Sequence, residues 1–241
     1  MLKKQHKTAA IILCGGKGTR LGSLGSKTNK TLLKYKNKPL IFHIIKHLEK
    51  HKIQDVVIPL GFKGNSIKKF LKNNFNNKKL KYFDAGVNTN ITNRIQKSIK
   101  FINDDIRNII ILNGDSFYKF NLKKLINPKL QKKFFINLIC TKLRLDYGFV
   151  IRKNNKISFN YKNQQFKKFI DINNNLQYFY SGICSIDKNF LLKNLSKIKD
   201  NFEIGLFNLA AKKNKLYFIY DDNSYFQINY NKDLIILNEK K

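Results

Sequence analysis

The stretch Ala9-Ala10-Ile11-Ile12-Leu13-Cys14-Gly15-Gly16-Lys17-Gly18-Thr19-Arg20-Leu21, followed by Lys30-Thr31-Leu32-Leu33, decides the fold. The apolar run from Ala9 to Leu13 reads as a buried strand. It breaks into a turn whose glycines at 15, 16 and 18 lack a Cβ, so the backbone can take positive φ and bring its N–H groups up to phosphate oxygens. Arg20 adds a fork-shaped donor and Lys30 a point charge for the same anion. Such a combination is what a chain needs to wrap a nucleoside triphosphate. The Walker pattern requires Gly-Lys-Ser/Thr after a four-residue spacer, which Gly22-Ser23-Leu24-Gly25-Ser26-Lys27-Thr28 does not supply. Gly15, Gly18 and Gly22 also miss the spacing of the dinucleotide-binding turn. A different nucleotide fold is implied.

Strands and amphipathic helices alternate away from this stretch, the pattern of a mostly parallel, doubly wound sheet. A helix is expected after Pro39 with Ile41, Ile44, Ile45 and Leu48 on one face. A strand at 56–60, a helix at 66–73, a strand at 79–83, a helix near 94–101 and a strand at 109–112 complete the first half. The last of these ends in Asn113-Gly114-Asp115. In such sheets ligands sit at the carboxyl ends of strands, where the Gly-rich turn and Asp115 both fall. The second half reads as strands at 134–141, 149–152, 156–160, 178–186 and 216–220, with a hairpin turn at Asn154-Asn155 and a helix at 188–195. The expectation is a single domain over residues 1–241, a three-layer α/β/α, Rossmann-like mixed sheet. Its N-terminal half would bind the nucleotide.

The chain carries 48 Lys plus Arg against 15 Asp plus Glu, a formal net charge of +33. Such an excess favours anionic partners. The lysines are spread from end to end among Asn, Ile and Phe, as drift in an AT-rich coding sequence would leave them, so no nucleic-acid partner is expected. Hydrophobic residues make up 42% of the chain, which excludes disorder. Cys14, Cys140 and Cys184 lie far apart in apolar runs and suggest neither a disulfide framework nor a zinc knuckle. No signal-peptide core or membrane-length apolar run is present, so a cytoplasmic protein without a membrane partner is expected. Homo-oligomerisation is left open. His43 and His47 are four apart on one helix, but no metalloprotease pattern follows, and a packing role is expected.

Gly15 to Leu21, Lys30 and Lys38-Pro39-Leu40-Ile41 together resemble the N-terminal signature of the sugar-1-phosphate nucleotidylyltransferases. The likeness continues through Gly61-Phe62-Lys63-Gly64, Asn113-Gly114-Asp115-Ser116 and Ser181-Gly182, and covers residues 8 to 237. It implies that a sugar 1-phosphate attacks the α-phosphorus of a nucleoside triphosphate, with Mg²⁺ as cofactor. Arg20 and Lys30 are then the catalytic cations. Leu13, Gly15, Gly16, Gly18, Thr19, Arg94 and Gly114 join them in holding the nucleotide. The same resemblance assigns Lys162, Tyr180, Gly182 and Glu203 to the sugar phosphate, and Asp115 and Gln227 to the metal.

Asp84 to Ile95 looks like the corresponding loop of glucose-1-phosphate cytidylyltransferases, which favours CTP and glucose 1-phosphate. The shorter chain and the Asn113-Gly114-Asp115 form look more like heptose- or mannose-1-phosphate guanylyltransferases. Several positions depart from the family. The prolines beside its lysine are Asn29 and Thr31 here, which is expected to loosen the loop. Lys162 lacks the family's neighbouring glutamate and proline. The second metal aspartate is replaced in Tyr225-Phe226-Gln227-Ile228-Asn229, and the sugar-binding asparagine is Tyr180. Gln227 and Tyr180 motivate a reading of another class, a sugar-nucleotide-binding protein without turnover.

Overall fold

The computed structural model describes residues 7–75, 79–145, 149–153, 156–160, 164–166, 169–170, 176–199, 201–223 and 225–239. Seven strands form the central sheet: β1 (Lys7–Leu13), β2 (Asp55–Leu60), β3 (Leu80–Asp84), β4 (Ile106–Asn113), β5 (Ile136–Thr141), β6 (Phe179–Asp187) and β7 (Leu216–Tyr220). Their order is β7-β5-β6-β4-β1-β2-β3. All neighbours run parallel except β6, which lies antiparallel between β4 and β5.

The alternation along β1 explains the layers. Ala10 and Ile12 face one side, where they meet Ile44, Ile45 and Leu48 of the Leu40–Lys50 helix and Ile67 and Leu71 of the Gly64–Asn74 helix. Ala9 and Ile11 face the other, against Ile95 of the Ile91–Ile99 helix and Phe190 and Leu191 of the Lys188–Leu195 helix. A strand buried on both faces needs apolar residues at successive positions, and the sheet is the covered, doubly wound type expected. The expected helix near 94–101 instead occupies Ile91–Ile99, because the Asn90 side chain accepts the Asn93 N–H and caps it earlier.

Chain order reverses between β1 and β4, which pair in register from Leu13↔Asn113 backwards. Both strands therefore end at one crevice, the switch point of the sheet. A third apolar cluster closes the far side of the crevice. There Leu21, Leu33 and Leu40 pack with Phe117, Phe226, Ile228 and Leu237, the last on the C-terminal helix Asn231–Glu239. Strands Phe149–Lys153 and Lys156–Asn160 form the expected antiparallel pair, while the turn at Asn154-Asn155 lies outside the described residues.

Candidate active site

The Gly-rich turn leaves β1 at Leu13 and is shaped by two close approaches. Gly18 takes φ 66° and opens the short helical turn Thr19–Leu21, with Leu21 N–H donating to Gly18 O at 2.9 Å. L side chains seldom adopt that conformation. Gly15 lies directly on the guanidinium of Arg94, where a Cβ would collide with it.

Arg94 was expected to touch the nucleotide. It is only 4% exposed, and its guanidinium donates to Leu60 O at 3.0 Å, Gly15 O at 3.2 Å, Gly86 O at 2.7 Å, Val87 O at 3.3 Å and Thr89 O at 3.0 Å. No carboxylate is among these partners. The side chain ties the Gly-rich turn to the end of β2 and to the loop after β3, bracing the crevice from beneath. The peptide plane is rigid, so holding the Gly15 carbonyl inward turns the next N–H, that of exposed Gly16, the other way.

Asn29 corrects a further expectation. Standing where a proline would, it does not loosen the loop. It is 2% exposed, and its Nδ2 donates to Cys14 O at 3.0 Å and Phe62 O at 2.7 Å while Oδ1 accepts the Thr31 N–H and hydroxyl, both at 2.9 Å. An asparagine side chain completing a turn two residues on is a common local motif, and here it fixes the approach of Lys30.

Lys30 Nζ lies 3.6 Å from Asp115 Oδ2 and donates to Ile228 O at 3.2 Å. Arg20 Nη1 donates to Asn229 Oδ1 at 3.1 Å. Both cations thus meet the segment after the short strand Tyr225–Gln227, which pairs with Ser116–Tyr118 and sets Gln227 opposite Ser116. Ile228 N–H donates to Asp115 O at 3.1 Å. Gln227 therefore stands beside Asp115, whereas the Asn229 amide is turned to Arg20. Burial pushes the Asp115 carboxyl above its ordinary range, against the opposing pull of Lys30. A carboxylate so placed calls for more positive charge than one lysine brings.

Leu13, Gly16, Thr19 and Gly114 line the mouth or floor of the same crevice, Gly16 and Thr19 exposed, Gly114 buried against Leu13, Cys14 and Thr31. Gly182 packs against the Asn113 side chain, which brings β6 to the same edge. Tyr180 and Glu203 lie farther along it, half-buried. Lys162 lies outside the described residues. His43 and His47 are packing residues, their Nε2 atoms bonded to Tyr35 O at 2.8 Å and Phe120 O at 2.7 Å. Among the described residues no group of three or more His, Cys, Asp or Glu side chains gathers. The three cysteines are free and buried. Sequence reasoning missed Asn29 as an anchor and the part of Ile228 and Asn229 in holding the cations. An Asn-x-Thr beside the lysine was the available signal for the first, but nothing local marked the second.

A Gly-rich turn and an acidic strand end meet at the switch point of a doubly wound α/β sheet, the place where folds of this class hold their ligands. The chain belongs to the nucleotidyl transferase family, whose sequence model matches residues 9–230. It is 34% identical over 116 residues to the D-glycero-alpha-D-manno-heptose 1-phosphate guanylyltransferase of Campylobacter jejuni, covering 48% of this chain and 51% of that protein. It is 28% identical over 139 residues to the "probable glucose-1-phosphate cytidylyltransferase" of Bacillus subtilis, covering 49% of this chain and 54% of that one. The chain thus spans about half the length of these curated relatives. The crystal structure of HddC from Yersinia pseudotuberculosis, complexed with GMP-PN, has the same fold at a TM-score of 0.65 and 19% identity, covering 96% of this chain and 98% of that one. Among the described residues no helix is long and apolar enough to cross a membrane.

Proposed function

We propose that this protein is a sugar-1-phosphate nucleotidylyltransferase. A phosphate oxygen of the sugar 1-phosphate forms a bond to the α-phosphorus of a nucleoside triphosphate. The bond from that phosphorus to the β-phosphate bridging oxygen breaks, and pyrophosphate leaves with the electron pair. No side-chain nucleophile is required. Two polyanions must approach, so catalysis is charge neutralisation and alignment. The observation carrying this reading is the convergence of Lys30 and Asp115, 3.6 Å apart, with Arg20 on the adjoining turn, at the ends of β1 and β4. Arg20 and Lys30 would exchange their contacts with Asn229 and Ile228 for triphosphate oxygens.

Asp115 would hold Mg²⁺, with Gln227, whose neighbour Ile228 bonds the Asp115 backbone, as second ligand once its amide oxygen gives up the Tyr225 hydroxyl it accepts at 3.4 Å. One carboxylate and one amide suit an ion that keeps several waters and takes its other oxygens from phosphates. When bound, the ion would add positive charge at the triphosphate. Arg94 and Asn29 shape the turn, and Gly182, Tyr180 and Glu203 border the acceptor.

The likeness of Asp84 to Ile95 to a cytidylyltransferase loop favours CTP with glucose 1-phosphate, while the likeness to heptose guanylyltransferases favours GTP with a mannose or heptose 1-phosphate. The test is pyrophosphate release with Mg²⁺, using CTP, GTP, UTP and dTTP against glucose, mannose and heptose 1-phosphates. Turnover with one nucleotide and a sugar 1-phosphate supports the reading and selects the base. Silence across the panel from folded protein would shift the reading to a sugar-nucleotide binder.

A further inference from the structure

The strand β7, Leu216-Tyr217-Phe218-Ile219-Tyr220, ends the sheet order and pairs with β5 alone among the described strands. Ile136 N–H donates to Lys215 O at 3.1 Å and Asp221 N–H donates to Cys140 O at 2.9 Å. Peptide groups along a strand point to its two sides in alternation. The odd-numbered ones are therefore spent on β5, and the N–H and C=O of Phe218 point out of the sheet. Natural edges are shielded by charge, proline, a bulge or short length. This one carries no charged residue and no proline, and its register is unbroken. Tyr217 and Phe218 are each 41% exposed along it.

These two aromatic side chains flank the edge from opposite faces of the sheet. Tyr217 stacks on Phe134 with centroids 4.8 Å apart at 19°, and Phe218 leans on Tyr178 at 4.7 Å and 40°. Each is braced from its own sheet, which leaves an apolar rim beside the outward peptide groups. The strand also separates charge between its ends. Lys212, Lys213 and Lys215 precede it and Asp221 and Asp222 follow it, in a chain with only 15 acidic residues. Asp221 is buried, 3.1 Å from Lys124 Nζ, whereas Asp222, Lys212 and Lys213 are exposed. A basic start and an acidic end make this edge complementary to itself when a second copy runs the opposite way.

We infer that β7 is the interface of a homodimer, in which two copies join their sheets antiparallel across a two-fold axis at Phe218. In that register the Phe218 peptide groups of the two copies bond each other and their rings stand opposite. Tyr217 then faces Ile219, and Asp222 of one copy comes toward Lys213 and Lys215 of the other. Aromatic pairs, aromatic–β-branched pairs and opposite charges are the favoured cross-strand partners. A one-residue slip would set Phe218 opposite a residue whose peptide groups already face β5, which excludes the adjacent registers. The pairing consumes the edge in both copies, so assembly through it stops at two. Each copy carries a charge of +33, so long-range repulsion opposes the pairing and salt strengthens it by screening. β7 lies three strands from β4, so the interface is independent of the reaction proposed above.

The experiment is sedimentation equilibrium of the full chain in about 0.3 M NaCl, from about 1 to 100 μM. Twice the mass of one chain is expected at the upper end, with Kd rising at least about tenfold when salt falls to about 0.02 M. Phe218→Lys puts on the edge the residue that natural edges use, and is expected to raise Kd at least about tenfold. Asp222→Lys should weaken the dimer as well, and adding Lys213→Asp should restore it. Adding Lys68→Asp instead, the same charge change on the Gly64–Asn74 helix at the far end of the sheet, should not. Should a variant not fold, hydrogen exchange of the wild-type chain decides. The Phe218 amide is expected to gain protection across those concentrations, while Tyr217 and Ile219, already bonded to β5, stay constant. A single-chain mass throughout, a mass growing beyond two chains, a dimer unmoved by Phe218→Lys, equal rescue by Lys68→Asp, or a Phe218 amide indifferent to concentration overturns the inference. Each of these results leaves the transferase reading untouched.

Discussion

Lys30 and Asp115 share one short contact yet serve opposite ends of the same charge problem. In the proposed reaction the lysine would neutralise phosphate, while burial raises the Asp115 carboxyl against the pull of Lys30 and would favour a further cation there. Replacing Lys30 or Asp115 by Ala is expected to lower kcat/KM by about 10² to 10³ or more, with the thermal midpoint within a few degrees of wild type; wild-type-like turnover in either variant would end their assignment. Gln227, set against Ser116 beside Asp115, is the position where a second carboxylate would complete a stronger metal site. Gln227→Asp is expected to tighten Mn²⁺ binding at least about tenfold, read by electron paramagnetic resonance of the free ion. A parallel rise in turnover would mark this chain as a weakened enzyme. His47 bears on stability alone. Burial lowers its pKa to about 4 from an ordinary 6.5. Above pH 6.5 both folded and unfolded forms are neutral; below it only the unfolded chain takes the proton, so stability falls between pH 6.5 and 4. Its partial exposure limits the loss to about 1 to 2 kcal/mol, and denaturation of His47→Gln across that range should show a shallower acid slope.

The elements themselves were legible where a periodic apolar pattern met a clear cap or breaker. β1, the Leu40–Lys50 helix and β4 follow from runs such as Ile109-Ile110-Ile111-Leu112, which only a covered sheet can hide. The Gly-rich turn and Asp115 were legible because local chemistry fixes them. What escaped the sequence depends on distant pairing. The Tyr225–Gln227 strand is three residues long and exists through its ladder with Ser116–Tyr118, and the Asn231–Glu239 helix buries only Leu237. The π-turn Glu203–Phe207 has no sequence signature. Arg94 illustrates the same limit: its motif suggested a ligand contact, while the fold surrounds it with carbonyls from three separate segments. That bracing is testable at the level of the turn. Arg94→Met would orphan these acceptors, and the expected loss of stability is about 2 to 4 kcal/mol, measured by urea unfolding. Faster hydrogen exchange should be confined first to the 14–18 and 85–90 loops. A variant as stable as wild type would mean that water replaces the guanidinium without cost.

At the scale of the whole molecule the charge of +33 acts in two directions. It opposes compaction, because like charges spread over one surface repel, and it draws in anionic substrates. Salt screens both effects, since the Debye length shrinks from about 30 Å at 0.01 M to about 8 Å at 0.15 M. Their signs differ, so one titration separates them. Raising NaCl from roughly 0.02 to 0.3 M is expected to raise the thermal midpoint by a few degrees as repulsion fades. Over the same range the KM for nucleoside triphosphate should rise several-fold as attraction fades, with kcat changing less. The comparison discriminates between two origins of the lysines. If the midpoint rises and KM stays flat, the excess is a compositional burden that the fold tolerates, and the local pair Arg20 and Lys30 does the recruiting alone. If both move, the distributed lysines extend the reach of the crevice beyond its own residues, and neutralising surface lysines far from Asp115 should raise KM in proportion to the charge removed.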